Sequence, residues 1–167
     1  MLSRPVASPK DMKKDSTQKI ILAADHAGYA LKEELKKFLA EKGFETLDVG
    51  AHKLRPDDDY PEFMAAAAMK VAEDLSGETR AIILGGSGQG EAMVANRFPG
   101  VRAAVWYGGD LNIIKLSREH NNANILSIGA RFVDEIMVRQ AVELWLTTPF
   151  SGEARHERRI MEIDNIE

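Results

Sequence analysis

The stretch Ala81-Ile-Ile-Leu84 running straight into Gly85-Gly86-Ser87-Gly88-Gln89-Gly90 decides the fold. Four consecutive apolar residues with no alternation read as a strand buried on both faces, the mark of a parallel sheet covered by helices. The glycines that follow let the backbone turn sharply and aim successive N–H groups at one point. Glu91 to Arg97 then reads as a helix. Strand, glycine turn and helix form one unit of an alternating α/β chain.

Working outward, the same alternation repeats. Lys19-Ile-Ile-Leu-Ala-Ala24 is a strand and Asp25-His26-Ala27-Gly28 its polar exit. Leu31, Leu35, Phe38 and Leu39 give a one-faced helix, supported by Glu33 and Lys37 and stopped by Gly43. Phe44 to Val49 is a second strand, and Pro61 opens an alanine-rich helix through Leu75. Val101 to Trp106 and Ile125 to Ile128 are the remaining strands, with a helix over Asp110 to His120 between them. Asp134 caps a helix through Leu146, and a last helix starts at Glu153. Five strands separated by helices predict an α/β fold: a three-layer α/β/α, Rossmann-like sandwich around a five-stranded parallel sheet. Residues 19–167 are expected to form this single domain, with residues 1–18 as a disordered arm carrying two prolines and few apolar residues.

Composition narrows the function. The chain has 167 residues, one domain's worth, and 22 Lys plus Arg against 26 Asp plus Glu give a net charge of −4. A non-specific nucleic-acid binder needs a basic face, so no nucleic-acid partner is expected. There is no cysteine, which excludes disulfides, thiolate nucleophiles and cysteine–zinc sites. The four histidines, His26, His52, His120 and His156, lack HExxH-type spacing, so no metal is expected. No apolar run is long enough to span a bilayer and no signal core opens the chain, so the expectation is a cytoplasmic protein without a membrane partner.

In open parallel sheets ligands bind beyond the carboxyl ends of the strands. The glycine loop lies at one such end, and its amides suit a phosphate or a developing oxyanion. It is neither a nucleotide P-loop, lacking Gly-Lys-Ser/Thr, nor a nucleophile elbow, because Gln89 stands where the last glycine belongs. Glu91 follows it. A carboxylate there either complements the helix dipole or serves as a general base beside an oxyanion site. Asp25 and His26 leave the first strand, where sites form, although a turn aspartate is commonly a cap. Arg155 and Arg159 share one face of the last helix, with Arg158 and His156 beside them, and read as a solvated face or a bidentate phosphate clamp. His120 and Asn121 end a helix, where a histidine often only complements the dipole. His52 and the acidic run 57–59 read as loop residues without a role.

Together these segments resemble the ribose-5-phosphate isomerase B and galactose-6-phosphate isomerase family. The resemblance rests on Ala24-Asp25-His26-Ala27-Gly28, Asp59-Tyr60-Pro61, the glycine loop continuing to Ala95-Asn96-Arg97, Ser117 through Asn124, Gly129-Ala130-Arg131 and Arg155-His156-Glu157-Arg158-Arg159. It spans about residues 19–163. It implies an aldose–ketose isomerase without metal or other cofactor, working through a cis-enediolate. Many members carry a catalytic cysteine where this chain has Gly85, and a second branch uses a glutamate after the loop, at the position of Glu91.

The resemblance implies Glu91, His120 and Ser87 as catalytic residues, with the main chain from Ser87 to Gly90 holding the enediolate oxygens and His120 opening the furanose ring. It implies Asp25 and Asn121 on sugar hydroxyls, Tyr60 beside the sugar, and His26, Arg131, Arg155 and Arg159 on the phosphate. Gly86, Gly88 and Gly90 belong to the substrate-binding loop. The family's site lies between subunits, so a homodimer or dimer of dimers is expected. Ribose 5-phosphate and ribulose 5-phosphate are the first substrates to consider. Hexose 6-phosphates, tetrulose phosphates, a non-catalytic phosphosugar binder and a serine hydrolase using Ser87, Asp110 and His120 are the alternatives. A free glutamate is a weak base for a carbon acid, so substrate binding is expected to desolvate Glu91 and raise its pKa.

Overall fold

The computed structural model describes residues 18–166. The expected arm over 1–18 therefore lies, apart from Gln18, outside the described residues. Five strands, β1 (Lys19–Ala24), β2 (Glu45–Asp48), β3 (Arg80–Gly85), β4 (Ala103–Trp106) and β5 (Ile125–Gly129), form one sheet in the order β2-β1-β3-β5-β4. Every pairing is parallel. The helices are α1 (Tyr29–Glu41), α2 (Tyr60–Ala72), α3 (Gln89–Ala95), α4 (Asn112–Glu119), α5 (Glu135–Thr147) and α6 (Ala154–Asp164).

The unbroken apolar runs of β1 and β3 serve two cores by strict alternation. Ile20, Leu22, Ile82 and Leu84 pack with Leu35 and Phe38 of α1, Ile114 of α4 and Val138, Val142 and Trp145 of α5. Ile21, Ala23, Ala81 and Ile83 pack on the opposite face with Met64, Ala67 and Ala68 of α2 and Ala95 of α3. Full burial of each large aliphatic side chain contributes about 1.5–3 kcal/mol, so the two-sided pattern is what holds the layers together. The chain leaves β1 toward β2 on one side, while β3 lies on the other. That divergence opens the crevice at the carboxyl ends of β1 and β3.

The element ends differ slightly from expectation, for local reasons. Helix α2 stops at Ala72 instead of reaching Leu75, because the Asp74 carboxylate accepts from Ser76 N, Ser76 Oγ and Thr79 N and bends the chain. Helix α3 starts at Gln89 and ends at Ala95, not Arg97. There the Asn96 side chain both accepts from Ala103 N and donates to Ala103 O, tying the chain to the start of β4. The Asp134 cap stands as read, accepting from Met137 N at 2.8 Å.

One feature gave no signal in the sequence. Lys32, on α1, is fully buried. Its Nζ donates to both Asp48 oxygens at 2.7 Å and to Ala51 O at 2.6 Å. This pins the start of the 51–59 loop beside the end of β1, where Ala24 N also donates to Gly50 O. The buried charge is stabilised only because its partners are complete.

Candidate active site

The glycine loop at the end of β3 is held from behind. Gly85 O and Gly86 O accept from Ala130 N and Arg131 N, and Gly88 O accepts from Ser127 Oγ at 2.6 Å. With these carbonyls engaged by β5 and the turn after it, Gln89 N donates to Ser87 Oγ, while the N–H groups of Ser87 and Gly90 have no partner among the described residues. Gly88 has φ +77°, and a Cβ there would come within 3.0 Å of Gly129 N. Only glycine satisfies both demands.

Glu91, on α3, turns back beneath this loop. It is 4 % exposed. Its carboxylate occupies the space that a side chain at 85 would take: a Cβ built on Gly85 would overlap Glu91 Oε1. Burial raises the Glu91 pKa above the ordinary carboxylate value, and the nearby Asp25 charge adds to this. The N–H groups of Glu91 and Gly88 and the Arg131 charge pull the other way without cancelling it. The fold itself thus desolvates Glu91. The missing side chain at 85 leaves a slot that the carboxylate already fills without substrate, and desolvation by substrate would add to that of the fold.

Around Glu91 stand several of the residues expected from the sequence. Asp25 is buried just after β1, and its Oδ1 accepts from Ala27 N at 2.9 Å and Gly28 N at 3.1 Å, an Asx turn just ahead of α1 rather than its N-cap, which is Gly28. Arg131 approaches the loop, its guanidinium carbon 3.3 Å from where a Cβ on Gly86 would lie. The Tyr60 hydroxyl closes over Gly90, 2.5 Å from the corresponding point. Next to Asp25, the His26 Nδ1 meets Asp58 Oδ1 at 2.7 Å, and this bond, with the charges of Asp25 and Asp58, raises the His26 pKa against opposing burial and Arg131. Asp25, His26 and Asp58 place ligand atoms within 4.8 Å of one another, the spacing of a cation site. Asp58 Oδ1 and Asp25 Oδ1 are already committed to N–H donors, and His26 Nδ1 to Asp58.

The other expected residues form a second group. His120, at the end of α4, stacks on His156 of α6, with ring centroids 4.2 Å apart and planes at 15°. Arg155 is exposed and paired with Glu153, and Arg159 is exposed on the same helix. Asn121 lines a groove with Asn96, Arg102 and Ile163. Helix α6 buries only His156. Among the described residues no hydrogen bond or ion pair joins this second group to Glu91, Asp25 or His26. Nor does a hydrolase triad assemble: Ser87 Oγ accepts from Gln89 N, Asp110 accepts from Asn112 N, and the His120 ring lies on His156.

Asp58 escaped the reading of the sequence. One carboxylate in a run of three gives no sign of which of them faces a histidine 32 positions earlier.

A buried carboxylate with raised pKa beside a glycine loop at a helix N-terminus, set at the switch point of a parallel sheet, defines an α/β enzyme built for proton transfer next to developing negative charge. The chain belongs to the ribose/galactose isomerase family, which it matches over residues 20–163. It is 41 % identical over 145 residues to ribose-5-phosphate isomerase B of Mycobacterium tuberculosis, covering 87 % of each chain. It is 35 % identical to ribose-5-phosphate isomerase B of Escherichia coli, covering 90 % of this chain and 97 % of that one. Among solved structures, ribose-5-phosphate isomerase B from Mycoplasma genitalium with bound ribulose 5-phosphate superposes with a TM-score of 0.82 at 36 % identity, covering 87 % of this chain and 93 % of that one. The Thermotoga maritima enzyme gives 0.81 at 38 %, covering 90 % and 100 %.

Proposed function

We propose that this chain interconverts ribose 5-phosphate and ribulose 5-phosphate. The observation that carries the reading is the Glu91 carboxylate, held dry beneath Gly85 and beside the loop amides. In the open-chain aldose, Glu91 takes the proton from C2. The electron pair forms the C1–C2 double bond of a cis-enediolate, and the amides of Ser87 through Gly90 stabilise the charge on its oxygens. The O2 hydroxyl proton passes to the neighbouring O1, the protonated Glu91 returns its proton at C1, and the C2 carbonyl of the ketose forms. A base of raised pKa matches a carbon acid better than an ordinary carboxylate does.

His120 serves ring opening, Asp25 and Asn121 hold sugar hydroxyls, and Tyr60 lines the sugar. His26, Arg131, Arg155 and Arg159 take the phosphate, whose remote binding energy fixes the reacting carbons against Glu91. The two separate residue groups support a site completed by a second copy of the chain, with α6 reaching across. A panel of C4, C5 and C6 sugar phosphates tests the substrate: the highest kcat/KM is expected with ribose 5-phosphate, and preference for a C4 or C6 substrate, or binding without proton exchange into heavy water, would overturn it.

Arg159→Ala is expected to raise KM for phosphorylated substrate about tenfold or more while kcat changes less. Mixed one to one with Glu91→Gln protein and allowed to exchange subunits, it is expected to gain rate at substrate well below KM, reaching about a quarter of wild type, because hybrid dimers contain one intact shared site. An unphosphorylated sugar responding equally to Arg159→Ala, or no recovery on mixing, would count against this assignment.

A further inference from the structure

The geometry points to Asp58 as the positioning residue for His26, holding the ring by its Nδ1 so that a charged Nε2–H faces the substrate phosphate. This rests on the proposed function for the identity of the phosphate. The arrangement itself stands on the structure.

Asp58 sits near the end of the 51–59 loop, which Lys32 fixes through Asp48 and Ala51 O. Its side chain is 5 % exposed. One oxygen, Oδ1, accepts two bonds from the same residue: His26 N at 3.0 Å and His26 Nδ1 at 2.7 Å. Two contacts from one carboxylate oxygen fix both the backbone exit of β1 and the rotation of the ring. They also fix the tautomer: Nδ1 carries the proton that Asp58 accepts, which leaves Nε2 for the ligand. The other oxygen, Oδ2, is buried with no hydrogen-bond partner among the described residues. A buried carboxylate oxygen without a partner favours positive charge beside it, and the His26 ring is the group in contact that can carry one.

Neutral His26 would present a lone pair to an anion at Nε2, whereas charged His26 presents a donor. The charged groups facing the ring are Asp58 from the loop, Asp25 from the end of β1 and Arg131 from the turn after β5. The two carboxylates hold the proton on and Arg131 opposes them. Because Asp58 raises the folded-state pKa, its effect is complete at low pH and is lost as pH rises through that raised value.

Two variants separate charge from geometry. Asp58→Asn keeps an acceptor oxygen for both His26 contacts but removes the charge. Asp58→Ala removes both. Three readouts are taken at pH 5.5 and pH 8: KM and kcat with ribose 5-phosphate, affinity for inorganic phosphate, and the His26 midpoint from imidazole NMR, assigned against His26→Asn.

For Asp58→Asn the His26 midpoint is expected to fall by about 1. KM and the phosphate dissociation constant are expected to rise about tenfold over wild type at pH 8 and to converge with wild type at pH 5.5, with kcat changed less. Asp58→Ala is expected to stay impaired at both pH values, since the ring is no longer aimed. An unchanged His26 midpoint in Asp58→Asn, or an equal KM ratio at both pH values, would overturn the inference. Should wild type fail to turn over ribose 5-phosphate, the substrate reading falls, while the phosphate and NMR arms still decide the role of Asp58.

Discussion

Glu91→Gln is expected to lower kcat by about 10³-fold while leaving KM within a few-fold of wild type. The amide has nearly the shape of the carboxylate, so it fits the slot beneath Gly85, but it cannot accept a proton from carbon. Exchange of the C2 proton with heavy water should disappear together with turnover. Stability should move the other way. A carboxylate whose folded-state pKa is raised binds its proton more tightly in the native state than in the unfolded chain. Stability therefore falls as pH rises from the ordinary carboxylate value through the raised one. Glutamine removes that loss, so the melting temperature at pH 7 should equal or exceed that of wild type. The wild-type kcat profile should in turn show an acidic limb above the usual glutamate range of about 4.3. Near-wild-type turnover in Glu91→Gln would end its assignment as the base, and a melting temperature several degrees lower would mean that its burial is structural.

The fold was legible in the sequence because its signals are local. Apolar runs such as Ile20–Ala24 and Ala81–Leu84 need only be read as buried on both faces, and caps such as Asp134 and stops such as Gly43 act within one turn. Strand order was not legible, since β5 lies between β3 and β4 through contacts that no short window contains. In the site, the glycine loop and Glu91 were found because both sit in one continuous segment. The pairing of Asp58 with His26 and the three bonds of Lys32 were not, because each joins segments far apart in the chain, and a charged residue in a loop or helix ordinarily faces water. The placing of Glu91 beneath Gly85 is the intermediate case. Both residues were singled out, but only the structure shows that they compete for one space.

That competition makes Gly85→Ala the second large effect, with kcat expected to fall about 10²-fold. Unlike Gly88, Gly85 does not adopt a positive φ, so alanine is acceptable to the backbone. What the new methyl meets is Glu91 Oε1, Cδ and Cγ, the far end of a flexible side chain. The fold should therefore survive and the carboxylate should swing out of its slot, away from the reacting carbons and into a wetter setting. Its pKa should then drop toward the ordinary value, and the acidic limb of the kcat profile should move to lower pH in step with the loss of rate. The double variant Gly85→Ala/Glu91→Gln should be no slower than Glu91→Gln alone, because both changes remove the same base. Gly86→Ala is the control one residue away. Its methyl would press on the Arg131 guanidinium, so it should act on KM for the phosphorylated substrate more than on kcat. Additive losses in the double variant, or an acidic limb that stays in place in Gly85→Ala, would show that the loop fails for some reason other than displacement of Glu91. The space left by the absent side chain at 85 would then not be what makes Glu91 the base.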